Sequence, residues 1–149
     1  MRLLKEDARL TISEIAEKLG RPESTIHFRI KKLQEKNVIE RYTIILGEEL
    51  RPKSLGILYI QARTPVIEDF LEKYIAHIVK TLAMLPNVLL VARSGSDGIV
   101  AIIGGDTWEK VQNFVKETVE VLPGLERVEL VPVDRFEKGS RIVGFLVDV

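Results

Sequence analysis

The second half of the chain contains an ordered succession of short apolar runs and longer amphipathic segments, and this order constrains the fold more than any other feature. Short runs rich in β-branched residues favour strands, and apolar residues recurring every three or four positions favour helices. The predicted strands are residues 57–63, 88–93, 99–103 and 127–133, and the predicted helices are residues 65–85 and 107–122. The order β-α-β-β-α-β is that of a ferredoxin-like fold, and a further strand is predicted over residues 142–147.

The predicted strands are apolar at successive positions rather than at alternate ones, as residues 88–91 and 99–103 illustrate. A strand with this composition is typically buried on both faces. In a ferredoxin-like sheet the two helices cover only one face, so the other apolar face needs a further partner. The sequence therefore predicts a homodimer in which two sheets pack face to face or edge to edge.

The first half of the chain predicts two helices separated by a short turn. Residues 10–19 show helical spacing of apolar residues, and Gly20 ends this helix because glycine tolerates the left-handed conformation. Thr11 or Ser13 is expected to cap its start. A second, basic helix is predicted over residues 23–36. This is the helix-turn-helix arrangement, whose second helix enters the major groove of DNA.

The distribution of charge supports a DNA contact. The net charge of the chain is zero, which argues against a protein that coats nucleic acid regardless of sequence. Residues 21–41 nevertheless contain six basic and three acidic residues. A local basic surface on a neutral chain suits a sequence-specific DNA reader, although a solvated helix face remains the alternative interpretation.

The second helix presents the predicted DNA-reading surface. If its apolar stripe faces inward, Arg29 points outward and can bind a guanine with two hydrogen bonds, and Phe28 can contact a thymine methyl group. Arg41 lies on a segment, residues 38–46, that is predicted to be extended and to contact flanking phosphates as a wing. The complete set of predicted DNA contacts is Arg21, Ser24, Thr25, His27, Phe28, Arg29, Lys31, Lys32 and Arg41.

Residues 12–46 resemble the helix-turn-helix of the Lrp/AsnC (feast/famine) regulators. The matching positions are Glu14, Ile15, Ala16, Leu19, Gly20, Glu23, Ser24, Thr25, Ile26, His27, Arg29, Ile30, Lys32, Leu33, Val38 and Ile39. The resemblance implies an α+β chain in which a winged helix-turn-helix precedes a ferredoxin-like βαββαβ domain (RAM/ACT-like). The sequence departs from the family at Phe28, where relatives usually carry a charged or polar residue.

The expected domains are a DNA-binding domain over residues 1–46, a linker over 47–56 and an effector-binding and oligomerisation domain over 57–149. The family has a full helix before the two helices described above, but here only MRLLKEDAR occupies that place. The first helix is therefore expected to be shortened. Either the chain begins late, or its DNA-binding domain is less stable and depends more on the dimer.

A glycine-containing loop between two predicted strands is the candidate effector site, and it consists of Ser94, Gly95, Ser96, Asp97 and Gly98. Its glycines allow the backbone N–H groups to face a carboxylate, and Asp97 can bind an ammonium group. An amino acid would bind the N–H groups through its carboxylate and Asp97 through its ammonium group. The resemblance also places the family's effector site at this loop, near a dimer interface, although the usual aromatic residue is absent here. An ordinary hairpin turn is the alternative interpretation.

Several other classes of protein find little support in the sequence. The chain has no cysteine, so it has no disulfides, thiolate nucleophiles or cysteine metal sites. No catalytic or dinucleotide-binding motif occurs, and no apolar run reaches the roughly 20 residues of a membrane helix. No enzyme activity, cofactor, metal or membrane contact is therefore expected.

The predicted function is that of a cytoplasmic, sequence-specific transcriptional regulator. Its expected partners are double-stranded DNA, a second copy of itself in a homodimer that can extend to an octamer, and an amino-acid effector. The alternative is an oligomeric ligand-binding module without independent DNA binding.

Overall fold

The computed structural model describes residues 1–63 and 68–147. The chain divides into two compact units, Met1–Ile44 (unit 1) and Ile45–Val149 (unit 2). Within the described ranges, no helix is long and apolar enough to cross a membrane.

Unit 1 consists of three helices, α1 (Arg2–Glu6), α2 (Ile12–Leu19) and α3 (Glu23–Glu35). Thr11 caps α2, because its hydroxyl accepts a hydrogen bond from the Glu14 backbone N–H over 3.2 Å. Gly20 ends α2 in the left-handed conformation with a φ of 58°. Both predictions for the ends of this helix are confirmed.

The core of unit 1 is small. Its buried side chains are Ile15, Ala16 and Ile26, and the partly buried Leu3, Leu4, Leu10, Ile12 and Ile30 pack against them. The first helix is only five residues long, and it contributes to this core through Leu3 and Leu4. Residues 40–47, predicted in most part to be extended, lie outside any helix or strand.

Unit 2 follows the predicted order of elements up to its fourth strand, and a helix follows that strand. The elements are β1 (Ser54–Ala62), α4 (Glu68–Ala83), β2 (Val88–Ser94), β3 (Gly98–Gly105), α5 (Trp108–Phe114), β4 (Leu125–Pro132) and α6 (Arg141–Leu146). A 3-10 turn, Glu48–Leu50, precedes β1, and a π-helical turn, Val115–Val119, continues α5. The four strands form an antiparallel sheet in the order β2-β3-β1-β4, which confirms the ferredoxin-like prediction.

The two sides of the sheet differ in burial. Side chains of α4 and α5 form the main core with one face, whose strand residues include the fully buried Leu58, Ile60 and Ile103. On the opposite face Ile57 pairs with Ile102 on one side and with Val131 on the other. Ile57 and Val131 remain 45% and 48% exposed, so the described part of this face carries exposed apolar residues.

The predicted strand over residues 142–147 is wrong, because this segment forms α6. In this helix Val143 is buried to 4% exposure, and the Gly144 backbone packs against the chain before β1. There the Leu46 N–H donates a hydrogen bond of 2.9 Å to the Gly144 carbonyl, and a Cβ at Gly144 would collide with the Leu46 carbonyl oxygen. A short apolar run alone does not separate helix from strand, and these tertiary contacts decide it.

Two predicted boundaries also shift, and a third is not tested. β1 begins at Ser54, inside the predicted linker, because Ser54 already pairs with Gly105 of β3. The second predicted helix of unit 2, residues 107–122, is α-helical only to Phe114. The predicted start of the first helix of unit 2, at residues 65–67, lies outside the described residues.

Candidate DNA interface and candidate effector loop

Two contacts fix α3 against α2. The Ser13 hydroxyl donates a 2.6 Å hydrogen bond to the Glu23 carboxylate, which joins the start of α2 to the first turn of α3. One turn further on, Ile26 is buried to 3% exposure in the core of unit 1. Glu23 is one of the positions that match the family, Ser13 is not, and helical periodicity alone gave no indication that the two residues pair.

The predicted DNA-contacting side chains lie on the exposed surface of unit 1. Thr25 is half-buried, and the exposed members are Arg21, Ser24, His27, Phe28, Arg29, Lys31, Lys32 and Arg41. Phe28 is 63% exposed, which is unusual for a phenylalanine without a partner molecule. The Lys32 ammonium lies 5.7 Å from the centroid of its ring, within the range of a cation–π interaction.

The positive charges on this surface are only weakly neutralised. Lys31 lies 4.0 Å from Glu35, and Arg41 lies 2.9 Å from Glu40, both as exposed pairs. Exposed pairs contribute about 0–1 kcal/mol, so a DNA phosphate can replace either carboxylate. Arg29 is exposed and also borders an apolar groove of about 380 Å³ that residues of all three helices line.

A charged hydrogen-bond pair stabilises the start of α2. The Glu14 carboxylate accepts hydrogen bonds from the Thr11 backbone N–H and hydroxyl, at 2.7 Å and 2.8 Å. These two bonds, the backbone one first, hold the pKa of Glu14 below its ordinary value of 4.5, with a smaller contribution from the charge of Lys18. Ionisation of Glu14 therefore strengthens the capping box.

The candidate effector loop is a tight hairpin between β2 and β3. Gly95 adopts a φ of 69°, and Ser94 pairs with Gly98 at the ends of the two strands. The Asp97 carboxylate accepts a 3.1 Å hydrogen bond from the Gln61 side chain, and its carbonyl accepts one of 2.9 Å from the Ala62 N–H. Sequence reasoning missed Gln61, whose only signal is a polar residue inside an otherwise apolar strand.

No group of three side chains suited to a metal ion occurs within residues 1–63 and 68–147. The two histidines are both exposed, and they belong to different units. Within the described residues every buried side-chain nitrogen and oxygen also has a hydrogen-bond partner. The polar groups available for binding are therefore those of the exposed surfaces.

Comparison with known families assigns a separate match to each part of the chain. Residues 1–40 match a model of winged helix-turn-helix DNA-binding domains. Residues 52–146 match an AsnC-type model described as the PF0864 C-terminal dimeric alpha+beta barrel domain.

Individual relatives agree with these matches. The chain is 53% identical over 149 residues to the HTH-type transcriptional regulator PF0864 of Pyrococcus furiosus, covering all of this chain and 92% of the relative. The solved structure of PF0864, described as a member of the AsnC family, superposes with a TM-score of 0.95 over 99% of this chain and 94% of that one. The HTH-type transcriptional regulator LrpA of Pyrococcus horikoshii is 30% identical over 86% of each chain.

A more distant structure shows the same fold. The regulator NMB0573 of Neisseria meningitidis, solved as a complex with L-Met, has a TM-score of 0.72 at 18% identity. The match covers 92% of this chain and 86% of that one.

Proposed function

This chain belongs to the AsnC/Lrp family of transcriptional regulators, and we propose that it recognises a specific DNA sequence through α3 and responds to a small ligand. The observation that carries the proposal is the exposed face of α3, where Phe28, Arg29 and Lys32 project from a helix held by a buried Ile26. An aromatic ring, a guanidinium and an ammonium on one face can contact a thymine methyl group, a guanine edge and phosphates.

Phosphate contacts would orient the helix before any base is read. Ser24 lies in the first turn of α3, where the free backbone N–H groups attract anions. Arg21, Lys31 and Arg41 are exposed and can bind phosphates on either side of the groove. Binding through several cations makes the affinity fall steeply with salt.

A homodimer fits the architecture of unit 2. The exposed apolar residues of the sheet, among them Ile57 and Val131, would be buried if two sheets packed together. The matched family model describes a dimeric domain. Two copies would read half-sites about 34 Å apart or a multiple of that distance, and dimers would associate further.

The loop over residues 94–98 remains our candidate effector site, and an amino acid remains the proposed effector. The N. meningitidis relative of the same fold was solved with L-Met. An ammonium group would compete with Gln61 for the Asp97 carboxylate, so binding would change the hydrogen bonding between the hairpin and β1. The ligand would change DNA affinity only if it prefers one state of the protein. We propose a regulatory, non-enzymatic role in the cytoplasm.

Selection of bound sequences from a random DNA pool, followed by affinity measurements at increasing salt, tests the proposal. We expect enrichment of an inverted repeat and a steep loss of affinity with salt. No enrichment, together with salt-independent retention of DNA, would contradict the proposal. Intact assembly with no DNA binding would instead favour an oligomeric ligand-binding module.

A further inference from the structure

A cavity of about 590 Å³ lies in unit 2 at the end of the sheet away from the 94–98 loop. Its lining includes Val88 at the start of β2 and Gly104 and Gly105 at the end of β3, whereas the loop joins the other ends of these strands. Sites for small molecules are typically about 300–1,000 Å³. The cavity is therefore large enough for a metabolite, and it is separated from the candidate effector loop by the length of the hairpin.

The lining of the cavity is about equally polar and apolar, and its mouth leaves two apolar side chains in solvent. Leu85, Val88 and Leu89 line the cavity, and all three are partly buried. Leu50 and Met84 also line it, yet they are 57% and 72% exposed. A ligand with an apolar body would cover these two side chains and would be stabilised by the removal of apolar surface from water.

Close backbone packing forms one side of the cavity. A Cβ at Gly104 would lie 2.6 Å from Cγ of Pro52, so only glycine allows Pro52 to approach β3 this closely. The Asn87 side-chain amide donates a 3.2 Å hydrogen bond to the Gly104 carbonyl and holds the strand end in place. The cavity is thus bounded by a fixed strand end rather than by side chains alone.

One cation in the lining of the cavity, Lys53, is available to bind a ligand. Asp106 is bound by Lys110 over 2.6 Å, and the Arg51 Nε donates a 2.9 Å hydrogen bond to the Leu46 carbonyl. The pKa of Asp106 is lowered chiefly by its hydrogen bond to Lys110 and by that residue's charge, with a smaller effect from the charge of Lys53. Lys53 itself makes no salt bridge within the described ranges 1–63 and 68–147.

We propose that this cavity binds a small carboxylic acid with an apolar body, whose carboxylate pairs with Lys53 and whose body packs on Leu50 and Met84. The Arg51 guanidinium is the second cation of the lining and adds to the attraction for an anion. Glu49 also lines the cavity and would bind an ammonium group if the acid were an amino acid. This site requires neither DNA binding nor the 94–98 loop.

Calorimetric titration of the full chain with 4-methylpentanoate tests the proposal, with L-leucine and 3-methylbutylamine as comparison probes. We expect saturable binding of the acid that Lys53→Gln weakens about ten-fold or more, as loss of a charge-assisted hydrogen bond implies. Lys116→Gln is the matched control, because Lys116 is also exposed in unit 2 but does not line the cavity. The amine, which lacks a carboxylate, is expected not to compete.

The comparison between the two acids shows whether the ligand carries an amino group. Tighter binding of L-leucine supports an amino acid held by Glu49 as well, and tighter binding of 4-methylpentanoate supports a carboxylic acid without an amino group. Absence of saturable binding by both acids would overturn the proposal. So would binding that survives Lys53→Gln unchanged but is lost in Asp97→Asn, because the ligand would then occupy the hairpin loop. The DNA affinity of Lys53→Gln and Asp97→Asn is measured as well. Because the cavity site does not require DNA binding, loss of ligand binding with unchanged DNA affinity concerns the cavity proposal alone.

Discussion

The two units of the chain differ sharply in how much core supports them. The main cluster of buried hydrophobic side chains in unit 2 contains thirteen described residues, drawn from strands and helices on one side of a sheet. The corresponding cluster in unit 1 contains three. Small domains bury a lower fraction of their surface and are marginal in stability. Unit 1 therefore depends on single contacts and helix caps to a degree that unit 2 does not.

The largest expected effect is a core truncation in unit 1. Ile26→Ala removes one of three buried side chains, and substitutions of this kind cost about 2–5 kcal/mol. We expect unit 1 to unfold locally, with loss of DNA binding, while amide exchange in the strands of unit 2 stays protected.

Ile60→Ala in unit 2 is the matched substitution, because Ile60 is also fully buried. A similar cost is expected there, but the larger cluster should keep unit 2 folded. If Ile26→Ala and Ile60→Ala both unfold the whole chain together, the units do not differ as proposed.

The second prediction separates DNA contact from stability. Arg29→Ala is expected to lower specific DNA affinity by about 1–3 kcal/mol, because the guanidinium would contact a guanine. Arg29 is exposed, so thermal unfolding and oligomeric state should stay as in the parent chain. Equal binding of the variant and the parent to a selected operator sequence would argue against this role of Arg29.

The sequence predicts an element correctly where local signals determine its conformation, and less well where distant contacts do. Helical periodicity, Thr11 and Gly20 are local signals, and they were enough to locate α2 and its ends. The segment that forms α6 has no such local signal, because its apolar run suits a strand as well as a helix. Its conformation follows from the Gly144 contact with Leu46, which is almost a hundred residues away in the sequence.

The candidate sites also differ in how far the sequence predicts them. The exposed face of α3 could be predicted from the inward positions of its apolar stripe. The bond from Gln61 to Asp97 and the cavity beside Lys53 could not, because both join segments that meet only in the folded sheet.

The third prediction compares equivalent caps in the two units. Thr11 caps α2 in unit 1, and Thr107 caps α5 in unit 2 by accepting a 3.3 Å hydrogen bond from the Lys110 N–H. Replacing either threonine by alanine is expected to cost about 0.5–2 kcal/mol. Only Thr11→Ala should increase amide exchange throughout its unit, because unit 1 has less core to compensate.

The cap of α2 also predicts a pH dependence. The folded-state pKa of Glu14 lies below its ordinary value of 4.5, so the ionised carboxylate stabilises the folded state. This contribution is complete above about pH 4.5, the ordinary value, and is lost as the pH falls through the lowered value. Acid unfolding of unit 1 followed by circular dichroism should shift to higher pH in Glu14→Gln. An unchanged acid midpoint would show that the capping box does not limit the stability of unit 1.

The smallest expected effect concerns the exposed pair on α3. The Lys32 ammonium lies 5.7 Å from the Phe28 ring centroid, and exposed cation–π pairs contribute about 0.5–1 kcal/mol. A double-mutant cycle of Phe28→Leu and Lys32→Met isolates this coupling from the loss of each side chain. If the coupling is close to zero in unfolding but appears in operator affinity, Phe28 and Lys32 serve DNA recognition rather than stability. That result would show that unit 1 leaves Phe28 exposed for its DNA partner, as unit 2 leaves Ile57 and Val131 exposed for the proposed second copy of the chain.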